Sequence, residues 1–243
     1  MINIIRRSHG FQLDHIGLGV PNTEAGVKWV EEKTGAKVDL HDPEPGQFYW
    51  SGSLAIGEHS FLEIIGPNPD YKKFQPFAAL IETLSEPQLL FWYIAVEDFA
   101  AFQALARQEK AKLERIEAIN IEDVDAAQAS YRRGLIGPGF LSERPNVIQW
   151  LKRPNRESQE EPVCKLTDFR LSNPQADKIN NVFEKLGIDV PVAKGASSIG
   201  ITIDTPKGPW SIENRGVRWT MPGMLVNVAR LWWRTRRQHP NRL

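Results

Sequence analysis

QLDHIGLGVPNTEAGVKWVEEKTG, residues 12–35, is the stretch on which the fold turns. Residues 12–20 alternate as a strand does, with His15, Gly17 and Gly19 on one face and Ile16 and Leu18 on the other. The strand runs into P-N-T-E, where Asn22 or Thr23 can cap a helix and Glu24 suits its first turn. Val27 and Val30 recur at helical spacing through residues 26–35, and Gly35 supplies the stop. Strand-like segments follow around 37–40, 48–57 and 60–66, and P-N-P-D closes the run. The predicted order is β-α-β-β-β.

That order returns. Residues 89–111 read as strand, short turn and helix, with Val96 standing where Val20 stood, and 112–119, 129–137 and 146–152 supply the later strands. A third round starts with a strand at 164–174, continues in a helix at 176–187 and ends in the hairpin 199–214, turned by T-P-K-G. The segment 153–162 is charged, proline-bounded and poor in apolar residues, so it marks the best boundary. The expected organisation is a two-module domain at 12–152, a βαββ unit at 163–214 and a basic amphipathic tail at 215–243. Overlaying the strand–helix junctions sets His15 opposite Phe91 and Asp168, and Glu63 opposite Gln149 and Glu213. Asp168 and Glu213 then read as remnants of duplication.

Composition narrows the class. The hydrophobic share is 41% and the charged share 25%, the balance of a soluble chain with a real core. Thirty basic and thirty acidic residues cancel, leaving no overall field to steer nucleic acid or an anionic membrane. A single cysteine, Cys164, allows no internal disulfide and fits a reducing cytoplasm. The opening MINIIRRSHGFQ has no apolar h-region, so no signal peptide is expected, and the longest apolar run, LLFWYIAV at 89–96, is far short of a membrane span. Charge is nevertheless segregated: from Arg215 onward there are seven arginines and no acid. Residues 221–238 plot as a helix with Met224, Leu225, Val228, Leu231 and Trp232 on one side and Arg230, Arg234 and Arg237 on the other. Docking on the acidic body or on a second subunit of a homodimer is the expectation; interfacial contact with a membrane is the alternative.

LDHIGLGVPNTEAGVKWVEEKTG followed by LAIGEHSFLEIIGPNPD is similar to the opening module of glyoxalase-like proteins in the vicinal-oxygen-chelate superfamily. FWYIAVEDFAAFQALA with its closing VIQW resembles the partner module, and the third segment a C-terminal addition found in some members. The resemblance implies an α+β fold in which paired βαβββ modules curl into a sheet cup, with a third partial βαββ unit and a C-terminal basic helix. It also implies metal ligands on the first and last strands of a module, at His15 and Glu63. Gln149 falls where members commonly have an acid and is the third candidate, while Phe91 occupies the remaining position and cannot ligate. An imidazole, a carboxylate and an amide suit a divalent transition metal such as zinc, manganese, nickel or iron. The superfamily spans isomerases, epimerases, ring-cleaving dioxygenases, lyases and drug-binding proteins, so the resemblance leaves the chemistry open.

The residues themselves add to this. Glu63 is a carboxylate in the apolar run FLEII, costly to bury unless paired, protonated or metal-bound. The His–Gly–Gly face of the first strand is expected to leave open space beside the imidazole. The plain alternative is a core histidine and a strand glutamate facing water. Aromatic residues, among them Trp50, Trp92 and Trp150, cluster where a cup would be lined, and Arg132 or Arg133 could hold a carboxylate or phosphate there. His41 is a candidate for the rim, with a solvated turn as its ordinary reading. Cys164 has no histidine near it in sequence, and no phosphate loop or G-x-S-x-G elbow exists. Two functions follow: metal-assisted lyase or isomerase chemistry on a small organic molecule, with Glu63 moving the proton, or metal-free sequestration of such a molecule in the same cup.

Overall fold

Asn22 is where the first strand gives way to a helix. In the computed structural model, which describes residues 12–43, 46–111, 113–121, 129–136, 143–152 and 162–214, strand β1 (Gln12–Gly19) leads into α1 (Thr23–Thr34). The Asn22 side chain accepts the Ala25 N–H at 2.9 Å, satisfying one of the helix's free donors. Gly35 closes the helix at φ 71°, a left-handed conformation that costs a side chain energy. Strands β2 (Asp39–His41), β3 (Tyr49–Ala55) and β4 (Phe61–Pro67) complete the first module. Then comes α2 (Pro76–Glu82), a helix the sequence reading does not contain, because seven residues carry too little periodicity to declare one. The second module repeats the first: β5 (Gln88–Ala95), α3 (Phe99–Gln108), β6 (Leu113–Ile121), β7 (Ala129–Ile136) and β8 (Asn146–Lys152). Asp98 replaces Asn22 as the cap and accepts from the Ala100 and Ala101 N–H groups.

All eight strands form one curled sheet in the order β2-β3-β4-β1-β5-β8-β7-β6. Within each module the first and last strands are parallel neighbours, β1 with β4 and β5 with β8, and the modules join where β1 meets β5 antiparallel. The two halves are thus related by a pseudo-two-fold axis between β1 and β5. Alternation then sorts the side chains. Ile16, Leu18, Leu62, Ile64 and Val147 turn toward α1 and α3 and build the larger core. Ile65, Leu90, Phe91, Tyr93, Tyr131 and Ile148 turn to the concave face, where Ile81 of α2 packs against them.

The C-terminal unit comprises β9 (Lys165–Asn173), α4 (Ala176–Leu186), β10 (Val192–Lys194), β11 (Ser198–Asp204) and β12 (Trp210–Glu213). Its sheet order, β10-β9-β11-β12, is not that of a third module. Here β11 lies between β9 and β12 and is antiparallel to both. Asp168 sits opposite Thr202 and Glu213 opposite Gly200, so the pair does not reproduce the placement of His15 and Glu63. The unit covers the helix side of the large sheet and shares its core. Trp92, 0% exposed, meets Phe169 and Phe183 edge-on at 5.1 and 6.2 Å, and its indole N–H donates to the Glu143 carbonyl at 3.1 Å. The Leu166 N–H donates to the Ile56 carbonyl, and Asn214 pairs with the backbone of Leu89 through both side-chain atoms. Burial pushes the Cys164 thiol upward, away from the thiolate a nucleophile requires. Among the described residues no helix is long and apolar enough to cross a membrane. Residues 153–161 of the linker read at 153–162, and the tail read at 215–243, lie outside the described residues.

Candidate functional site

The concave face is built around an irregularity. Leu13 pairs with Ile94 and His15 with Tyr93, which makes Asp14 the extra residue of a β-bulge. In a regular strand Asp14 and His15 would point to opposite faces. Here Asp14 Oδ1 lies 2.7 Å from His15 Nδ1, and Asp14 Oδ2 accepts the Trp150 indole N–H at 2.8 Å. Asp14 is fully buried, so its contact with Nδ1 fixes the orientation of the imidazole. The ring is 7% exposed and stacks between Phe61 at 4.8 Å and Tyr93 at 4.2 Å. Its Nε2 faces Glu63 Oε2 at 3.8 Å.

The open space expected beside His15 is filled. A Cβ on Gly17 would stand 2.2 Å from Cζ of Phe91, so the glycine is present because that ring lies directly on its Cα. Phe91 presents itself edge-on to His15 at 6.0 Å.

The equivalence of the modules can be read from one repeated hydrogen bond. Val20 N–H donates to the Ile65 carbonyl and Val96 N–H to the Ile148 carbonyl, so Val20 matches Val96 and Ile65 matches Ile148. The partner of His15 is then Phe91, that of Gly17 is Tyr93, and that of Glu63 is Asn146 rather than Gln149. The sequence overlay had slipped by three residues along β8. Gln149 lies on the other face, where its amide donates to the Glu97 carbonyl at 2.6 Å. Arg132, its cross-strand partner, is exposed on that same face. Trp50 alternates out of the cup next to Tyr49, and its indole N–H donates to the His41 carbonyl. Trp92 is sealed in the core beneath the C-terminal unit. Of the residues singled out from sequence, His15, Glu63 and Trp150 are brought together; Gln149, Trp50, Trp92 and Arg132 are not.

Residues that sequence reasoning missed occupy the second half of the cup. Asn146 is 0% exposed, and neither its Nδ2 nor its Oδ1 has a hydrogen-bond partner among the described residues. Leaving such a group unpaired costs about 1–3 kcal/mol. It sits beside Tyr93 in the β5–β8 pairing, and the Arg133 guanidinium donates a hydrogen bond to the Tyr93 hydroxyl. Burial pushes the Tyr49 and Tyr93 phenols well above their usual range; the Glu63 carboxylate adds to the rise and Arg133 opposes it. Both therefore remain neutral donors. On the first-module side, Ser53 is buried opposite Glu63 on β3, and its Oγ lies 3.1 Å from His41 Nε2, which places His41 on the cup's edge. A better signal for Asn146 was available in the sequence: aligning I-I-G of β4 with V-I-Q of β8 by their apolar residues, not by their polar ones.

The donors can be tested against a metal. His15 Nε2 and the Glu63 carboxylate face each other, but the equivalent positions of the second module hold a phenyl ring and an amide, with Tyr93 standing in register between His15 and Asn146. Among the described residues no three His, Cys, Asp or Glu side chains gather as a metal set. The residues present do not fit the ligand set that the resemblance implies, and no chemical step is routed through a metal.

Comparison with known proteins fixes the family. Among solved structures the chain is similar to a hypothetical protein from Staphylococcus aureus, with TM-score 0.53 and 11% identity over 77% of this chain and 87% of that one. It is also similar to methylmalonyl-CoA epimerase from Mycobacterium tuberculosis, with TM-score 0.41 and 17% identity over 56% and 86% of the two chains. A mutant 4-hydroxymandelate synthase from Streptomyces coelicolor matches with TM-score 0.49 and 12% identity over 84% and 62%. No curated protein matches the chain. The model of the glyoxalase-like domain matches residues 13–187, and with the paired modules described above the chain belongs to that family.

Proposed function

We propose that the cup binds a small organic molecule and moves a proton at a carbon next to a carbonyl or carboxyl group, the chemistry of a lyase or isomerase. One observation carries this reading: His15 is held by Asp14 at Nδ1, and its Nε2 faces Glu63 at 3.8 Å among aromatic rings. A base must be held in one orientation to take a proton from carbon, and the bulge at Asp14 supports this. Nε2 accepts the proton, the imidazolium is stabilised by Asp14 on one side and Glu63 on the other, and the proton returns to the resulting enolate. Glu63, 3.8 Å away, is the second acid–base group. Tyr49, kept protonated by burial, can donate to the enolate oxygen.

The second reading, sequestration without chemistry, is favoured by the aromatic enclosure of Phe61, Phe91, Tyr93, Tyr131 and Trp150. Deuterium exchange separates the two. In D2O the protein should exchange the benzylic C–H of phenylpyruvate faster than buffer does, and His15→Gln should abolish the excess while calorimetry still finds the ligand bound. Binding without any excess exchange would leave sequestration as the function.

A further inference from the structure

The two halves of the cup differ in what they offer a ligand. We propose that Asn146, Arg133 and Tyr93 form a subsite for the carboxyl group of a small, flat or aromatic acid, holding it so that the C–H next to its keto carbonyl lies at His15. This deepens the proton-transfer reading and rests on it for the position of the reacting carbon. The subsite itself stands on separate observations.

The first is Asn146. A fully buried amide with both ends unpartnered on the concave face is costly, and one residue here supplies a donor and an acceptor with nothing else to satisfy. The second is register. Asn146 lies beside Tyr93 on β5 and opposite Leu135 on β7, and Arg133, two residues along β7 on the same face, donates to the Tyr93 hydroxyl. A guanidinium, an amide and a neutral phenol therefore share one end of the cup, while Asp14, His15 and Glu63 share the other. The first group matches a carboxyl: its charge to Arg133, its oxygens to the Asn146 N–H and the Tyr93 hydroxyl. The third observation is the aromatic lining, where Tyr131 and Trp150 lie with ring centroids 5.2 Å apart in the same cluster as Phe91 and Tyr93. Rings so placed suit a planar body rather than a polyol.

The test uses benzoate, which has the carboxylate and the ring but no exchangeable C–H, so that binding is measured apart from chemistry. Calorimetry on the full-length protein should find saturable benzoate binding, with benzamide at least about tenfold weaker, as expected for loss of one charge-assisted contact. Arg133→Met and Asn146→Leu should each weaken benzoate comparably, whereas Arg132→Met, on the opposite face, should not. Asn146→Leu should also keep or raise the melting temperature, because it removes an unsatisfied polar group; a marked fall would mean that Asn146 serves the fold instead. The proposal is overturned by no benzoate binding, by benzamide binding as well as benzoate, or by affinities indifferent to Arg133 and Asn146. Its failure is distinct from that of the proton-transfer reading. Exchange into phenylacetone as fast as into phenylpyruvate, with benzoate unbound, removes the subsite alone. Arg133-dependent benzoate binding with no exchange in phenylpyruvate removes the proton transfer alone.

Discussion

The two modules share a backbone plan and differ at the three positions that matter for chemistry. In the first they are His15, Gly17 and Glu63; in the second, Phe91, Tyr93 and Asn146. The small residue of the first module is what admits the large one of the second, since Phe91 rests on the Cα of Gly17, while Tyr93 stacks on His15. Neither half makes sense alone. The first supplies an imidazole and a carboxylate, and the second the aromatic rings Phe91 and Tyr93 beside the imidazole and the amide Asn146. Under the proposed function, the duplicated fold has a reactive side and a recognition side, where full symmetry would have gathered four like ligands.

That division can be broken experimentally at several points. The largest effect belongs to the reactive side. His15→Gln should lower the exchange rate by roughly 10²- to 10⁴-fold, the usual contribution of a general base, while Phe91→Leu on the other side should change it far less. Proton NMR of the labelled substrate reads both, and equal losses would mean the halves are not divided as described. Next comes the contact that joins them. Gly17→Ala forces a methyl into the Phe91 ring and should cost about 1–3 kcal/mol in urea unfolding. Most of that cost should vanish in a Phe91→Leu background; if the two costs simply add, Phe91 does not govern position 17.

A smaller effect is set by pH. The folded phenols of Tyr49 and Tyr93 titrate above their unfolded value, near 10, so the folded state holds their protons longer. Their contribution is complete below about pH 10 and declines as pH rises above it, because the unfolded state then releases protons that the folded state keeps. Chemical unfolding followed between pH 8 and 11 (from about two units below a phenol's ordinary value to about one above it) should show stability falling only at the alkaline end, and less steeply in Tyr93→Phe. The least effect is expected at Gln149. Its substitution by glutamate should leave ligand and metal affinities unchanged, since the side chain serves the Glu97 carbonyl on the far face.

Much of the fold was legible because it repeats. The caps at Asn22 and Asp98 and the strand ends at Val20 and Val96 sit at the same relative places, and periodicity finds such things. The third unit misled because β-α-β-β composition does not encode strand order; only pairing shows that β11 separates β9 from β12. The site was half legible. His15 and Glu63 stood out as polar residues in apolar strands, but which of two adjacent residues faces the cup is decided by bulges. Asp14 reaches His15 only through the irregularity at β1, which alternation cannot anticipate. Gln149 was singled out because the overlay put it where members of the resembling family commonly have an acid, and the register that makes Asn146 the counterpart of Glu63 lies in backbone hydrogen bonds. Trp50 and Trp92 show the same limit: aromatic content predicts burial, not the side of the sheet on which it occurs.

The central claim is that the second module's substitutions have given up the family's metal-ligand positions and left the first module to act as a base. A manganese titration followed by electron paramagnetic resonance, on the native protein and on Phe91→His/Tyr93→Gly/Asn146→Glu, tests it most directly. The triple variant restores to the second module what the first contains, and it should acquire one saturable site that His15→Gln removes, while the native protein shows no saturable uptake in the micromolar range. Tight binding of one equivalent by the native protein, lost in His15→Gln, would contradict the account and return the site to metal-assisted chemistry.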